Sequence, residues 1–418
     1  MVKNILIVGA GVAGLHCAQR LAKKAPANAR IMLVDSSDVH TLKADLYEVA
    51  TAFNKEITDE CMVQLKAAVA TPIVSLVDPE RVHFLQDSVM AIDTAKKTVK
   101  LKKNKVLHYD ILVLALGSVT NFFKVPGIEK YAFPLKTVHE ALAINCHLDR
   151  LFRERWTSRS KAKAIHITIG GGGATGVEMA SELYASLKKL CRKYKFPRAK
   201  VHVQLVQSGQ DLGGLDDKGT EKILSRLEGM GVCVYRGFRI SKVTEDSVLM
   251  KDSKNKLKTL PNSMLIWTAG VSVHPVVAAL GDAKKGGAVE VDATLESKKF
   301  PKVFAAGDNA FLEDPKKPGS RVPMLAYAAW QEGNVVADNI VRSMRKEKLR
   351  DYNPGDAWMI LPLGGKFAAF KCGPFLITGF AAWLLRRLVI FRYHFSTMSF
   401  RRAFKKWHKG GELFEQND

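Results

Sequence analysis

Two sets of glycines in this chain have the spacing to hold a pyrophosphate. Gly9, Gly11 and Gly14 stand in KNILIVGAGVAGL, and Gly171, Gly173 and Gly176 stand in AIHITIGGGGATGVEMASEL. In each set an apolar run meets the first glycine and a helical pattern follows. The first glycine permits a tight turn, the second a close approach of backbone to phosphate, and the third close packing of helix on strand. The helix N-terminus then offers unpaired N–H groups and the positive end of its dipole. One such motif is a weak signal, because glycine-rich turns are common. Two in one chain predict two dinucleotides held face to face, a flavin and a nicotinamide, and the chemistry of that pair is hydride transfer.

Further residues refine this reading. Asp35 ends the strand expected at Arg30–Asp35, about 20 residues beyond the last fingerprint glycine, where a carboxylate accepts the adenosine ribose hydroxyls. Its counterpart after the second motif is Gln207, at the end of Val201–Gln207. A carboxylate there would repel the 2′-phosphate of NADPH and an amide would not. Gln207 can equally bond the ribose of NADH, so the expectation is NADH with NADPH tolerated. Ile111–Leu116, with Ala115, closes on Gly117 as a second pass of chain close to the flavin nucleotide. Met264–Thr268 leads similarly to Gly270 on the nicotinamide side. In KVFAAGD, Gly307 and Asp308 place a carboxylate where it can bond the flavin's ribityl hydroxyls. A helix is expected to open at Pro323, and on it Tyr327 and Gln331 share a face. Those two, with Trp330, are candidates to line a site for the second substrate, although Trp330 equally suits core packing.

The elements that carry these residues fill 418 positions, 47% hydrophobic and 25% charged, which is the composition of a folded protein of more than one domain. Residues 135–160 read as a helix, while the segment His40–Ala52 departs from the βαβ rhythm. The six cysteines, Cys17, Cys61, Cys146, Cys191, Cys233 and Cys372, are dispersed without zinc spacing or a CxxC pair, which favours a reducing compartment. No His, Cys or acidic cluster has metal-ligand spacing. No targeting segment fits before the first strand, and no apolar run reaches the roughly 20 residues of a membrane span.

The net charge of +23 predicts attraction to something anionic. From Phe375 the chain is apolar with a narrow stripe of Gly379, Arg386, Arg387 and His394. Phe400, Ala403, Phe404 and Trp407 then share one helical face, with Arg401, Arg402, Lys405 and Lys406 on the other. This pattern predicts amphipathic helices lying on an anionic membrane surface, apolar face inserted and cations against headgroups. A homodimer interface would use the same face. A nucleic-acid arm has less need of it. The tail is expected to be separable: removal after Phe375 keeps flavin binding and loses membrane association.

The motifs VGAGVAGL, DLYEVATA, LVLALGSVTNFF, GGGATGVEMASEL, IWTAGV, FAAGD and AYAAWQEG, with the Trp-containing tail, resemble those of the type II NADH:quinone oxidoreductases, over nearly the whole chain. The resemblance implies an α/β fold of two Rossmann-like domains in a glutathione-reductase-like layout with a C-terminal membrane-binding segment. It places the FAD domain at 1–120 and 300–345, the NAD(P)H domain at 121–299 and the anchoring region at 346–418. It implies hydride transfer from NADH to FAD and reduction of a membrane quinone without proton pumping, by a peripheral protein on the cytoplasmic face of the membrane. It carries a catalytic glutamate onto Glu178 and a quinone-site glutamine onto Gln331. The family's other glutamine is Tyr327 here, and its nicotinamide-domain acid is Gln207. Three alternatives share parts of the pattern. A sulfide:quinone oxidoreductase would need reactive cysteines, and Ala174 and Thr175 stand where one is expected. A soluble electron-carrier reductase lacks use for the apolar tail. A nucleic-acid-binding flavoprotein like the apoptosis-inducing factors fits the charge.

Overall fold

The run Ile5–Val8 is apolar and buried throughout, as the central strands of parallel α/β sheets are. The computed structural model describes residues 2–157, 163–281, 285–356 and 358–414. The chain forms two compact units, one of Met1–Thr41, Thr71–Val119 and Val271–Ala357, the other of Leu42–Ala70, Thr120–Gly270 and Trp358–Asp418.

The first unit is built on a five-stranded parallel sheet in the order Val303–Ala305, Ile111–Leu114, Lys3–Val8, Ala29–Asp35, Val82–Gln86. The chain leaves its central strand, Lys3–Val8, through the helix Val12–Lys24, and the strands to either side run in opposite sequence directions. That reversal is the topological switch point, where open α/β sheets bind nucleotides beyond the strand C-termini. The long helix Ala326–Met344 packs on Val12–Lys24, and the fit depends on Gly333. A Cβ there would lie 2.2 Å from the Ala13 carbonyl oxygen. This helix begins at Ala326 rather than at Pro323: Leu325 donates to the Pro323 carbonyl in a tight turn, and Leu325 then accepts from the Ala329 N–H.

The second unit repeats the plan. Its five parallel strands run Ala132–Pro134, Met264–Trp267, Ile165–Gly170, Val201–Gln207, Val232–Arg236. The helix Ala174–Lys193 follows the central strand. The expected helix over 135–160 is described as Val138–Thr157, and its continuation to 160 lies outside the described residues. The departure at His40–Ala52 is real: the short helix Leu46–Thr51 packs in this unit, held by Asn145, whose amide donates to the carbonyls of Val49, Ala50 and Ala52. An antiparallel sheet of Trp358–Pro362, Ala368–Cys372 and Phe375–Gly379 leads to two helices, Phe380–Thr397 and Phe400–Phe414. Phe375–Gly379 is therefore a strand, and helix begins only after Gly379. Among the described residues no helix is long and apolar enough to cross a membrane.

Candidate functional site

The first cradle shows a distinct physical task for each glycine. Gly9 has φ +101°, and a Cβ on it would meet the Ala115 carbonyl oxygen at 2.1 Å. Gly14 would place a Cβ 1.8 Å from the carbonyl oxygen of Gly9, so only glycine lets helix and turn close together. Gly11, by contrast, faces open space. The N-terminus of Val12–Lys24 is thus reachable by a phosphate, which is the arrangement a dinucleotide requires. Asp35 holds the turn: its carboxylate accepts from the N–H of Ala10 at 2.6 Å and of Ser37 at 2.8 Å. Gly117, also open to space, is clamped by the buried Asn309, which donates to its carbonyl at 2.8 Å and accepts from its N–H at 3.2 Å. Asp308 accepts a hydrogen bond from the Ser118 hydroxyl.

Beneath the Gly307–Asp308 turn lies Glu332, buried on the long helix. Its carboxylate accepts from the Gly307 N–H at 2.6 Å, while Arg321 donates to the Gly307 carbonyl at 3.1 Å. Burial pushes the Glu332 carboxyl up to about 7, against the hydrogen bond from Gly307 and the charge of Arg321. A pocket of about 230 Å³ opens here, lined by Gly307, Arg321, Pro323, Ala328 and Glu332. On the same helix Tyr327 donates to the Asp356 carbonyl at 3.4 Å, and exposed Gln331 accepts from the hydroxyl of buried Tyr352 at 3.2 Å. Trp330 turns the other way and stacks on His16, with ring centroids 5.1 Å apart. Burial, with His40 adding, lowers the His16 pKa to about 3, so its ring is neutral at physiological pH.

The second cradle repeats the glycine geometry. Gly171 has φ +109° and backs onto Ala269, Gly176 would place a Cβ 1.8 Å from the Gly171 carbonyl oxygen, and Gly173 faces open space. Thr268 donates to the carbonyls of Gly170 and Gly171 at 3.0 Å each, which fixes the turn. Gly270 has φ +96° and lies against Phe123. Gln207 accepts from the Gly172 N–H at 3.0 Å and donates to the Asp211 carbonyl at 3.1 Å. An amide therefore does here the loop-closing that a carboxylate does in the first cradle.

Two residues beyond Gly176, Glu178 faces a cluster of buried charge. Arg386, 8% exposed, pairs with Asp45 at 2.6 Å and lies 3.6 Å from Glu48. Tyr47 donates to Glu48 at 2.9 Å, and the Arg386 guanidinium lies 5.5 Å from the centre of the Tyr47 ring. Withdrawal of the Glu178 carboxyl from water pushes its pKa up to about 8; Arg386 opposes this, and Asp45 and Glu48 add to it. An open cleft of about 610 Å³ borders the cluster, lined among others by Trp383, Arg387, Lys406 and Trp407.

This cluster corrects the expectation for the tail. The polar stripe does not meet headgroups: Arg386 and His394 are buried within the unit. The opposite, apolar face is the one left to solvent, with Phe380 59% and Phe400 58% exposed and Leu384, Leu388, Phe395 and Phe404 beside them in the sequence pattern. The reason is electrostatic. Asp45 and Glu48 need a buried cation, and Arg386 supplies it. Nor is the tail separable after Phe375, because that cut removes a strand paired with Ala368–Cys372 as well as Arg386. Lys406 further ties the last helix down by donating to the carbonyls of Ala67 and Ala70 at 3.0 and 2.7 Å, and Trp407 donates to Arg387 at 2.8 Å.

Residues 3–333 match the pyridine nucleotide-disulphide oxidoreductase family. The chain belongs to it. Within that family, a type II NADH:quinone oxidoreductase of Staphylococcus saprophyticus is 26% identical over 408 residues, covering 97% of this chain and 98% of the relative. Its Staphylococcus aureus counterpart is 27% identical with the same coverage. Among solved structures, NDH2 from Plasmodium falciparum in complex with NADH has a TM-score of 0.84 at 16% identity, covering 99% of this chain and 98% of that one. The sulfide:quinone oxidoreductase of Aquifex aeolicus has a TM-score of 0.75 at 20% identity, covering 98% and 92%. For a pyridine nucleotide-disulphide oxidoreductase the cysteines are notable: all six are free thiols.

Sequence reasoning in this family did not find Glu332, Arg321, Tyr352 or the partners of Arg386. One signal was present for Glu332. It occupies the same four-residue stripe as Ala328, Val336 and Ile340, so an acid stands in the middle of a buried apolar face. Tyr352 has no such signal, because it comes from an irregular loop.

Proposed function

We propose that this protein oxidises NADH with a membrane quinone through bound FAD, without translocating protons. The observation that carries the reading is the pair of matching cradles, each with its central glycine open to a ligand, in a chain similar end to end to named NADH:quinone oxidoreductases. The chemistry a bound flavin supplies is acceptance of a hydride and return of its electrons to a quinone. The protein's part is orientation and charge. The first cradle and Asp35 hold FAD, with Ala115, Gly117, Gly307 and Asp308 along its length. The second cradle, with Gly270, holds the nicotinamide nucleotide. Proximity of the two reactants accounts for most of the acceleration.

Glu178, protonated near neutral pH, holds the nicotinamide or passes a proton. Gln331 donates its amide N–H to a quinone carbonyl, and Tyr327, four residues earlier, replaces a second amide with a phenol. Trp330, stacked on His16, supports that helix from behind. The exposed apolar residues of the tail, flanked by Arg401, Arg402 and Lys405, support docking to an anionic membrane surface. The test is steady-state oxidation of NADH by FAD-loaded protein with a short-chain quinone. Quinone-dependent turnover is expected. Flavin that NADH bleaches but quinone does not reoxidise refutes the acceptor, and flavin that NADH does not bleach refutes the donor.

A further inference from the structure

We infer that Lys406 is a modification site: its side-chain amine takes up carbon dioxide to form a carbamate, held in the cleft beside the tail helices. Neither flavin nor quinone takes part in this chemistry. Lys406 stands half-buried on Phe400–Phe414 and reaches the end of the helix Asp59–Val69. There its Nζ donates to the carbonyls of Ala67 and Ala70 at 3.0 and 2.7 Å. Two carbonyls are what an uncharged amine satisfies with its two N–H groups, and they leave its lone pair unused. Lys406 also lines the open cleft of about 610 Å³, so a small molecule in the cleft can reach this side chain.

The surroundings favour both the neutral amine and the anion it becomes. Burial, with Arg402 on the same helix adding, lowers the Lys406 pKa from 10.5 to about 8. At pH 8 about half of such an amine is uncharged and nucleophilic, against roughly 1 in 250 for a lysine in water. In the step, the nitrogen lone pair bonds to the carbon of CO2, one C–O π pair moves onto oxygen, and an N–H proton leaves to water. Nothing is oxidised or reduced. The product is a planar carboxylate whose nitrogen keeps one N–H for one of the two carbonyls. The cleft offers that carboxylate Arg387. Its guanidinium lies 4.7 Å from the centre of the Trp407 ring and fills the space over Gly411, where a Cβ would come within 2.0 Å of Nη2. A guanidinium fork matches a carboxylate and gains nothing from a neutral amide, which favours CO2 over acyl donors. The other ionisable groups of the cleft are Asp45, Glu48, Glu182, Arg386 and His394, and Lys66 is the charged residue in the last turn of Asp59–Val69. Arg386 is paired with Asp45, so Glu48 and Glu182 are the acids that oppose the carbamate.

The test equilibrates the full-length, flavin-loaded protein with isotopically labelled bicarbonate at fixed dissolved CO2. Carbamates are then ethylated with triethyloxonium ion and located by peptide mass spectrometry. At pH 8 Lys406 is expected to carry at least about tenfold more label than its exposed neighbour Lys405, and its label should rise from pH 7 to 9 as the amine deprotonates. Arg402→Gln should move the midpoint of that rise upward. Arg387→Met should cut carbamate occupancy roughly 10-fold or more, the usual worth of a charge-assisted hydrogen bond, while acetylation of Lys406 by acetic anhydride stays within about twofold. The second readout separates loss of the anion's partner from collapse of the cleft. Equal label on Lys405 and Lys406 overturns the inference. So does an equal loss of carbamate and acetyl label in Arg387→Met, because Arg387 would then only shape the cleft. Lys406→Arg keeps the charge and the reach, and label that persists in its peptide belongs to another lysine and overturns the assignment.

Discussion

The two cradles solve one backbone problem identically and differ only in what they attach to it. In both, the third glycine would bring a Cβ to 1.8 Å from the first glycine's carbonyl, and in both the second faces open space. The attachments diverge at two equivalent places. At the strand end a charged Asp35 closes one turn and a neutral Gln207 closes the other. Two residues past the third glycine, His16 stands in one helix and Glu178 in the other, the first buried neutral and the second held near its protonated form at neutral pH. The glycines position a dinucleotide, and these flanking side chains decide which one and what happens to it.

The largest expected effects come from breaking the shared part. Gly14→Val and Gly176→Val each drive a side chain into a backbone carbonyl that cannot move without opening the turn. Each should cost several kcal/mol locally, at or beyond the ~1–3 kcal/mol usual for overpacking. The comparison predicts different losses. Gly14→Val protein should purify without flavin, whereas Gly176→Val should keep the flavin spectrum and lose bleaching by NADH. Loss of both ligands in both variants would show that the two cradles do not fold independently.

Next in size is the buried ion pair of the second unit, Arg386 with Asp45. Arg386→Met removes the cation paired with Asp45 and should cost ~3–5 kcal/mol, the usual penalty for halving a buried pair. Urea denaturation followed by tryptophan fluorescence would measure it. Adding Asp45→Asn should recover part of the loss, because an amide needs no counter-charge. A chain that keeps its stability when cut after Phe375 would refute the integration of the tail described above.

The two buried ionisable groups also predict opposite pH dependences. The His16 pKa falls from 6.5 to about 3 on folding, so the unfolded chain binds the proton first and this group's contribution to stability is lost as pH drops from 6.5 toward 3. The Glu178 pKa rises from 4.5 to about 8, so the folded chain holds the proton longer and stability declines as pH rises from 4.5 to 8. Glu332, raised to about 7, acts in the same direction over a narrower window. Glu178→Gln should therefore flatten the decline in urea midpoint between pH 5 and 8. His16→Phe should improve stability near pH 5 and change little at pH 8.

How far the sequence reveals these features depends on whether the physics is local. The glycine turns, the strand Val201–Gln207 and the helix after each cradle are dictated by neighbours a few residues away, and they lie where residue spacing puts them. The tail is different. Its stripe of Arg386 and His394 was visible as periodicity, but which face turns inward depends on Asp45 and Glu48, some 340 residues earlier. Periodicity marks two faces of a helix without naming the buried one. Glu332 shows the same limit from the other side: an acid in an apolar stripe is legible as an exception, yet its partner, the Gly307 N–H, is supplied by the fold.

The smallest effect tests the loop-borne side chain that the first unit brings to its long helix. Tyr352 is buried, and its hydroxyl donates to the Gln331 amide oxygen at 3.2 Å. That bond commits the oxygen to the protein and leaves the amide N–H groups to face outward as donors. The loop is held for the purpose by Asn339, whose side chain donates to the Arg350 carbonyl and accepts from its N–H at 2.8 Å each. Tyr352→Phe removes one neutral hydrogen bond, worth ~0.5–1.5 kcal/mol, and frees the amide to rotate. The KM for a short-chain quinone should rise roughly three- to tenfold on that basis, with kcat and the KM for NADH unchanged. An equal fall in turnover with quinone and with ferricyanide would mean that Tyr352 supports the helix as a whole. A change confined to quinone KM would place Gln331, and not its neighbours, at the acceptor.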